Sequence, residues 1–261
     1  MKKIKATIIE NKSLSKGYNI ISLKSPYLAR KSSCGQFINV KCRSGTEPLL
    51  RKPFGVHSVT KDGVQILFKI VGRGTAILSE KKRGQALDVI GPLGNGFAIP
   101  KKISKDTQIV LVGGGHGVAP LYAVCEKVKK LDPETKVEVL LGGRGKEHVV
   151  CESKFRRIGA KVLVATDDGS KGYKGVVSDL LKVRLDKSNM SAFSIYSCGP
   201  RPMLKAVSEV SKQFKAMCQV SMDEYLGCGI GVCMGCALET TLGTRLICKD
   251  GPVFNAEEVI W

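Results

Sequence analysis

Over the first hundred residues, apolar and polar positions alternate in short runs broken by turn residues. Residues 3–10, 18–24, 36–41, 56–60, 64–71 and 86–90 each follow the two-residue period of a strand with one buried face. Lys61-Asp62-Gly63 supplies a hairpin turn, because Asp-Gly takes the required backbone without strain. Antiparallel strands of this length and number predict a small closed β-barrel over 1–100. A short helix is expected to start near 75–78 with Thr75 as its N-cap. Pro92-Leu93-Gly94-Asn95-Gly96-Phe97 reads as the loop that closes the barrel and leads onward.

From residue 105 the period changes. Strand-like runs at 108–112, 136–141, 161–165, 193–197 and 217–220 alternate with helical runs at 121–131, 150–157, 176–183 and 202–214. This alternation predicts a parallel sheet, with 101–216 forming an α/β domain and 217–220 its final strand. Residues 217–261 are left as a small C-terminal domain.

Candidate chemistry falls in the connections. Gly113-Gly114-Gly115-His116-Gly117 follows the first parallel strand and precedes a helix, a setting in which backbone amides and the helix dipole favour a pyrophosphate. The same glycines also suit a plain tight connection, and His116 suits a neutral hydrogen-bonding filler. Cys198-Gly199-Pro200 leaves another strand at its carboxyl end, so it should face the same crevice. In the barrel, Arg51-Lys52-Pro53-Phe54-Gly55 sets two cations beside an aromatic ring. Leu67-Phe68-Lys69 runs into Gly72-Arg73-Gly74-Thr75, a turn at a helix start that suits a diphosphate or serves merely as a turn.

The chain has ten cysteines and a start that is no signal peptide, since its apolar run is short and broken by charge. In a cytoplasmic chain such cysteines point to metal or redox work rather than to disulfides. Cys228, Cys233 and Cys236 follow C-x4-C-x2-C, and Cys248 follows after eleven intervening residues. That is the ligand spacing of a plant-type [2Fe–2S] cluster. Gly227, Gly229, Gly231 and Gly235 let such a loop turn sharply around an anionic core. A zinc knot more often pairs two short Cys-x2-4-Cys knuckles, and only one is present. Cys34, Cys42, Cys125, Cys151 and Cys218 are expected to be small buried residues.

Composition narrows the reading further. The chain is 43% hydrophobic and 25% charged, and its most membrane-like window, 108–125, holds four glycines and a proline, so no membrane span is expected. The net charge of +19 is spread in short clusters rather than interleaved with aromatics, which favours anionic cofactors or an acidic partner over nucleic acid.

Taken together, Gly-Gly-Gly-x-Gly-x-Ala-Pro, Cys-Gly-Pro-x-Pro-Met and a terminal cluster loop resemble the ferredoxin reductase-like flavoproteins. The resemblance is greatest to the electron-transfer subunits of NAD-linked (class 1B) dihydroorotate dehydrogenase, through Gly94-Asn95-Gly96-Phe97, the Cys228–Cys236 loop and Cys248-Lys-Asp-Gly-Pro-Val-Phe254. It implies FAD on the barrel, held at Lys52, Pro53, Phe54, Gly55, Leu67, Phe68, Lys69, Gly74 and Thr75. It implies NAD on the α/β domain, held at Gly113, Gly114, Gly115, Gly117, Cys198, Gly199 and Pro200. A [2Fe–2S] cluster falls to Cys228, Cys233, Cys236 and Cys248. The family usually has Arg and Ser where this chain has Lys52 and Gly55; Arg51 is expected to compensate for the lost guanidinium fork. The short interval before Cys248 reads as a trimmed hairpin.

The implied function is electron transfer from an FMN-containing dihydroorotate dehydrogenase subunit, through [2Fe–2S] and FAD, to NAD⁺ in pyrimidine biosynthesis. The implied assembly is a cytoplasmic heterotetramer. No side-chain acid or base is expected to be catalytic, because the cofactors carry the chemistry. The alternatives are the flavin subunit of an NAD(P)H:ferredoxin (or sulfide) oxidoreductase and, more distantly, a zinc-stabilised nucleic-acid-binding protein.

Overall fold

The computed structural model describes residues 1–190 and 192–261. Six strands close the barrel: β1 (Lys2–Ser15), β2 (Tyr18–Lys24), β3 (Phe37–Lys41), β4 (Lys52–Val59), β5 (Gly63–Lys69) and β6 (Ala86–Leu93), in the order β1-β2-β5-β4-β3-β6. Their inward positions, among them Ile8, Ile21, Ile38, Val40, Phe54, Val56, Ile66 and Phe68, form one buried cluster. Two short helices, α1 (Pro26–Lys31) and α2 (Arg73–Ser79), accompany the barrel.

Three expectations need correction here. Strand β4 begins at Lys52 rather than at 56, since Lys52 and Pro53 already pair with Val40 and Asn39 of β3. Thr75 is not the N-cap of α2; Gly72 is, and the Thr75 hydroxyl reaches back to accept from the amides of Val71 and Gly72. Arg51 is tied to the other side of the barrel, donating to the carbonyl and carboxylate of Asp88 at 2.9 Å each, so it does not stand in for an arginine at position 52.

The second layer contains β7 (Thr107–Gly114), α3 (Val118–Leu131), β8 (Val137–Gly143), α4 (Glu152–Arg157), β9 (Lys161–Thr166) and β10 (Tyr173–Lys174). It continues through α5 (Val177–Asp186), β11 (Ala192–Cys198), α6 (Arg201–Gln213) and β12 (Met217–Ser221). These strands are parallel in the order β10-β9-β8-β7-β11-β12. Helix α3 starts earlier than the expected 121, and Pro120 lies in its first turn, where no amide donor is needed. Strand β12 is not the edge of the sheet. After the hairpin β13 (Ala237–Thr240) and β14 (Gly243–Leu246), the chain returns as β15 (Val253–Asn255) and pairs antiparallel with β12. Among the described residues no helix is long and apolar enough to cross a membrane.

The barrel and the α/β layer are joined at His57. This side chain of β4 is fully buried and stacks on Tyr122 of α3. Its Nδ1–H donates to the carbonyl of Ala119 at 2.9 Å, and its Nε2 accepts from Lys154 at 3.0 Å. Burial, then the Lys154 ammonium, lower the His57 pKa to about 3, so the ring is neutral when folded. The unfolded chain protonates near 6.5 and the folded one near 3. Stability is therefore full above the higher value and falls as pH drops between them, by about 1.4 kcal/mol per pH unit. Replacing His57 by Gln should flatten that acid slope; urea denaturation at about pH 4 and about pH 7 would measure it.

Candidate redox site

The cluster loop leaves β12 and carries its first three cysteines before β13; Cys248 follows β14, so the expected trimmed hairpin is β13–β14. Gly229 and Gly231 take left-handed backbone, with φ of +73° and +84°, which L side chains rarely adopt. Gly227 and Gly235 do not; each instead lies beside the Cys233 sulfur, which a Cβ would meet at 3.1 and 3.6 Å. The result is a ring of inward amides. Cys228 Sγ accepts from Ile230, Val232 and Cys233 at 3.3–3.4 Å, Cys233 Sγ from Cys228 at 3.4 Å, and Cys248 Sγ from Gly231 at 3.1 Å.

Burial raises the Cys228 thiol pKa, but the amides of Ile230, Cys233 and Val232 outweigh it and bring the value down to about 6. The Cys248 thiol goes the other way, pushed up to about 12 by burial and by its neighbour Cys236. Among the described residues no three His, Cys, Asp or Glu side chains converge as a single ion requires. The thiols lie next to one another instead: Cys228 beside Cys233, and Cys248 beside Cys236 and within electrostatic reach of Cys228. Four neighbouring thiols are the donor set a two-iron core requires, and five amides aimed at sulfur suit its negative charge. Cys236 and Cys248 are buried, whereas Cys233 is exposed. The residues flanking it are apolar and exposed, Val232 at 74% and Met234 at 56%.

In the α/β layer the strand order reverses direction at β7 and β11, and open sheets bind ligands outside the strand ends at such a point. The loops after these two strands are the two expected from sequence. They interlock, so several of their glycines are needed for packing rather than for a ligand. A Cβ on Gly117 would stand 2.6 Å from the Cys198 carbonyl oxygen, and one on Gly114 would stand 2.7 Å from Met203 Sδ. Gly199 presses on Gly114 and Met203, and Gly113 packs on Val118 and Leu121. Only Gly115 faces open space in this loop; its nearest neighbour is Tyr18 Oη at 3.9 Å, across the gap to the barrel. Cys198 is buried, its thiol pushed up to about 12 by burial and by Asp223. Pro200 caps α6.

The barrel residues divide in the same way. Phe54 and Phe68 point into the barrel core, their ring centroids 5.5 Å apart, so only their backbone faces outward. Pro53 and Gly55 fall on the opposite face and form a low floor, where a Cβ on Gly55 would meet the Pro120 ring of α3 at 3.7 Å. Leu67 also lies outside the barrel core cluster, and the Lys69 ammonium stands 5.7 Å from the Tyr18 ring centroid. Lys52 lies along Gly74, where a Cβ would meet its Cγ at 3.2 Å, which brings the cation to the N-terminus of α2 beside Thr75. This floor, flanked by Lys52 and Gly74 at one end and by Gly115 at the other, fits a flat ring system carrying a diphosphate.

One residue of this crevice, Asp223, was not singled out beforehand, and it bears on His116, which was. The walls of the crevice hold the His116 imidazole below its usual pKa; Asp223 opposes this and Lys69 adds to it. Asp223 is exposed at the mouth of this crevice, yet the surrounding protein holds its carboxyl above its usual range, with His116 opposing. His116 thus has a carboxylate and an ammonium beside it across three segments of chain. Asp223 carries no sequence signal, because it acquires its role only where the cluster segment passes the mouth of the sheet.

Comparison with known proteins agrees with this geometry. Residues 111–209 match the family model described as an oxidoreductase NAD-binding domain, and residues 223–260 match the iron–sulfur cluster binding domain of dihydroorotate dehydrogenase B. The chain is 37% identical to the dihydroorotate dehydrogenase B (NAD(+)) electron transfer subunit of Desulforamulus reducens, over 91% of this chain and 90% of that one. It is 35% identical to the same subunit of Caldanaerobacter subterraneus subsp. tengcongensis, over 99% of both. Among solved structures, that of the NADH-dependent reduced ferredoxin-NADP oxidoreductase superposes with a TM-score of 0.86 at 29% identity, covering 98% of this chain and 90% of that one. A ferredoxin NADP⁺ reductase from Neisseria gonorrhoeae with bound FAD and NADP, at 14% identity and a TM-score of 0.68 over 85% of this chain and all of that one, shares the fold.

The crowding around the glycines separates two kinds of substitution. Gly117→Ala should lower stability by roughly 1–3 kcal/mol through its clash with the Cys198 backbone, read as a fall in melting temperature. Gly115 is uncrowded but takes a left-handed φ of +55°, so Gly115→Ala serves as the control for backbone strain; Gly115→Leu should weaken NADH binding in a fluorescence titration beyond that control, and unchanged affinity would remove Gly115 from the dinucleotide site.

Proposed function

We propose, from the premise that this chain belongs to the family of dihydroorotate dehydrogenase B (NAD(+)) electron transfer subunits, that it carries electrons between a dihydroorotate-oxidising partner subunit and NAD⁺ in pyrimidine biosynthesis. The observation that carries this reading is the placement of a four-thiol loop, a barrel floor and a dinucleotide crevice around one junction. Bound flavin supplies the conversion between hydride and single-electron chemistry that neither NAD nor an iron–sulfur cluster can make alone.

The chain's own residues bind and orient. Pro53 and Gly55 give a floor without long side chains, and Lys52 with the amides near Gly74 and Thr75 holds a diphosphate. Gly115, at the mouth of the α3 turn, admits the nicotinamide dinucleotide between barrel and sheet, with Cys198, Gly199 and Pro200 as the opposite wall. Cys228, Cys233, Cys236 and Cys248 hold the cluster, and the apolar rim around Cys233 is the side for the partner. An FMN-containing catalytic subunit in a cytoplasmic heterotetramer is the assembly this reading implies. A second reading, the flavin subunit of an NAD(P)H:ferredoxin oxidoreductase, draws on the likeness to the NADH-dependent reduced ferredoxin-NADP oxidoreductase structure.

Prepared without oxygen, the chain should be coloured and hold about two irons per FAD. Cys233→Ser should abolish electron delivery to the dihydroorotate-oxidising subunit while NADH still bleaches the flavin in stopped flow. Loss of both reactions would contradict the order of the relay, and co-purification with a ferredoxin-coupled subunit would favour the second reading.

A further inference from the structure

The barrel floor and the cluster loop meet at one side chain that neither the sequence motifs nor the family models single out. Asn39 stands on the outer face of β3, directly opposite Pro53 of β4 in the register. It therefore borders the floor on one side and the cluster loop on the other, and it is 1% exposed. Its Nδ2 donates to the carbonyl of Cys228, the first thiol of the loop, at 3.3 Å. Gly229 is pressed so closely against it that a Cβ there would stand 2.6 Å from Nδ2. The opposite amide orientation would set two oxygens against each other, so the nitrogen belongs on the Cys228 side.

The other half of the amide is unexplained by folding. Oδ1 is buried and has no hydrogen-bond partner. An orphaned buried acceptor is destabilising, and an apolar residue would serve the strand better, as Phe37 does two positions earlier on the same face. A polar group kept at a penalty, bonded to a ligand-bearing residue, points to a role outside the barrel core.

We infer that Asn39 is the positioning residue of the electron path between the barrel floor and the cluster. It fixes the Cys228 end of the loop against the strand pair that carries the floor, and its N–H draws charge away from that end of the ligand set. This rests on the function proposed above. Removing the donor should make the reduced, more negative cluster harder to form, so its midpoint potential should fall.

The test uses the full chain purified anaerobically with its cofactors, in wild type, Asn39→Leu and Asn39→Asp. Iron and flavin are assayed, and the cluster potential is read by redox titration followed by electron paramagnetic resonance. Asn39→Leu should shift the equilibrium about tenfold toward the oxidised cluster, which is about 59 mV for one electron, and Asn39→Asp further, since it adds a negative charge. On mixing with NADH, the flavin-bleaching phase should be unchanged and the cluster-reduction phase slowed at least about tenfold. Asn39→Asp, being the same size, keeps the comparison decisive should Asn39→Leu lose iron. Variants with full iron, unchanged potential and an unchanged cluster phase would overturn this inference alone. A wild-type chain without iron would overturn the proposed function and this inference with it.

Discussion

A segment of about forty residues cannot bury a sufficient core of its own, and the cluster-bearing end of this chain does not try to. Cys236, Leu238, Leu246, Ile247, Cys248, Phe254, Ala256 and Val259 share one buried cluster with Phe37 and Leu93 of the barrel and with Val110, Val112 and Val220 of the sheet. Polar contacts complete the attachment. Asn95 donates to the carbonyls of Lys249 and Asp250, and Gly94 leaves no room for a side chain against Gly251 and Pro252. The redox loop is thus held by the seam between the other two units, and their relative placement sets where the four sulfurs stand.

That seam also explains how charge is distributed. Residues 222–261 contain six Asp or Glu and only two Lys or Arg, although the whole chain carries a net charge of +19. The excess positive charge therefore belongs to the barrel and the α/β layer, on whose side an anionic dinucleotide must arrive, and a field of that sign speeds its approach. The cluster face, by contrast, offers apolar side chains to whatever docks there.

Much of this was legible in the linear chain wherever local rules govern. Each barrel strand has one buried face, so a two-residue period showed through, and the cysteine spacing is dictated by the size of what it surrounds. Features made by distant segments were not legible. Strand β15 is three residues long and pairs only because the chain returns to β12. Asn39 looks like any polar residue in a short strand until Cys228 arrives from 189 residues away. The glycine-rich loop misled in an instructive way, because its composition suits both a phosphate and tight packing. Gly114, Gly117 and Gly199 are occupied with packing, and only Gly115 is open.

The four thiols differ in how they are supported. Cys236 and Cys248 are set in the shared apolar interior, while Cys228 and Cys233 lie on a surface loop shaped by its own amides. The inner thiols are therefore set by the same packing that joins the barrel to the sheet, whereas the outer thiols depend on one short loop and its own amides.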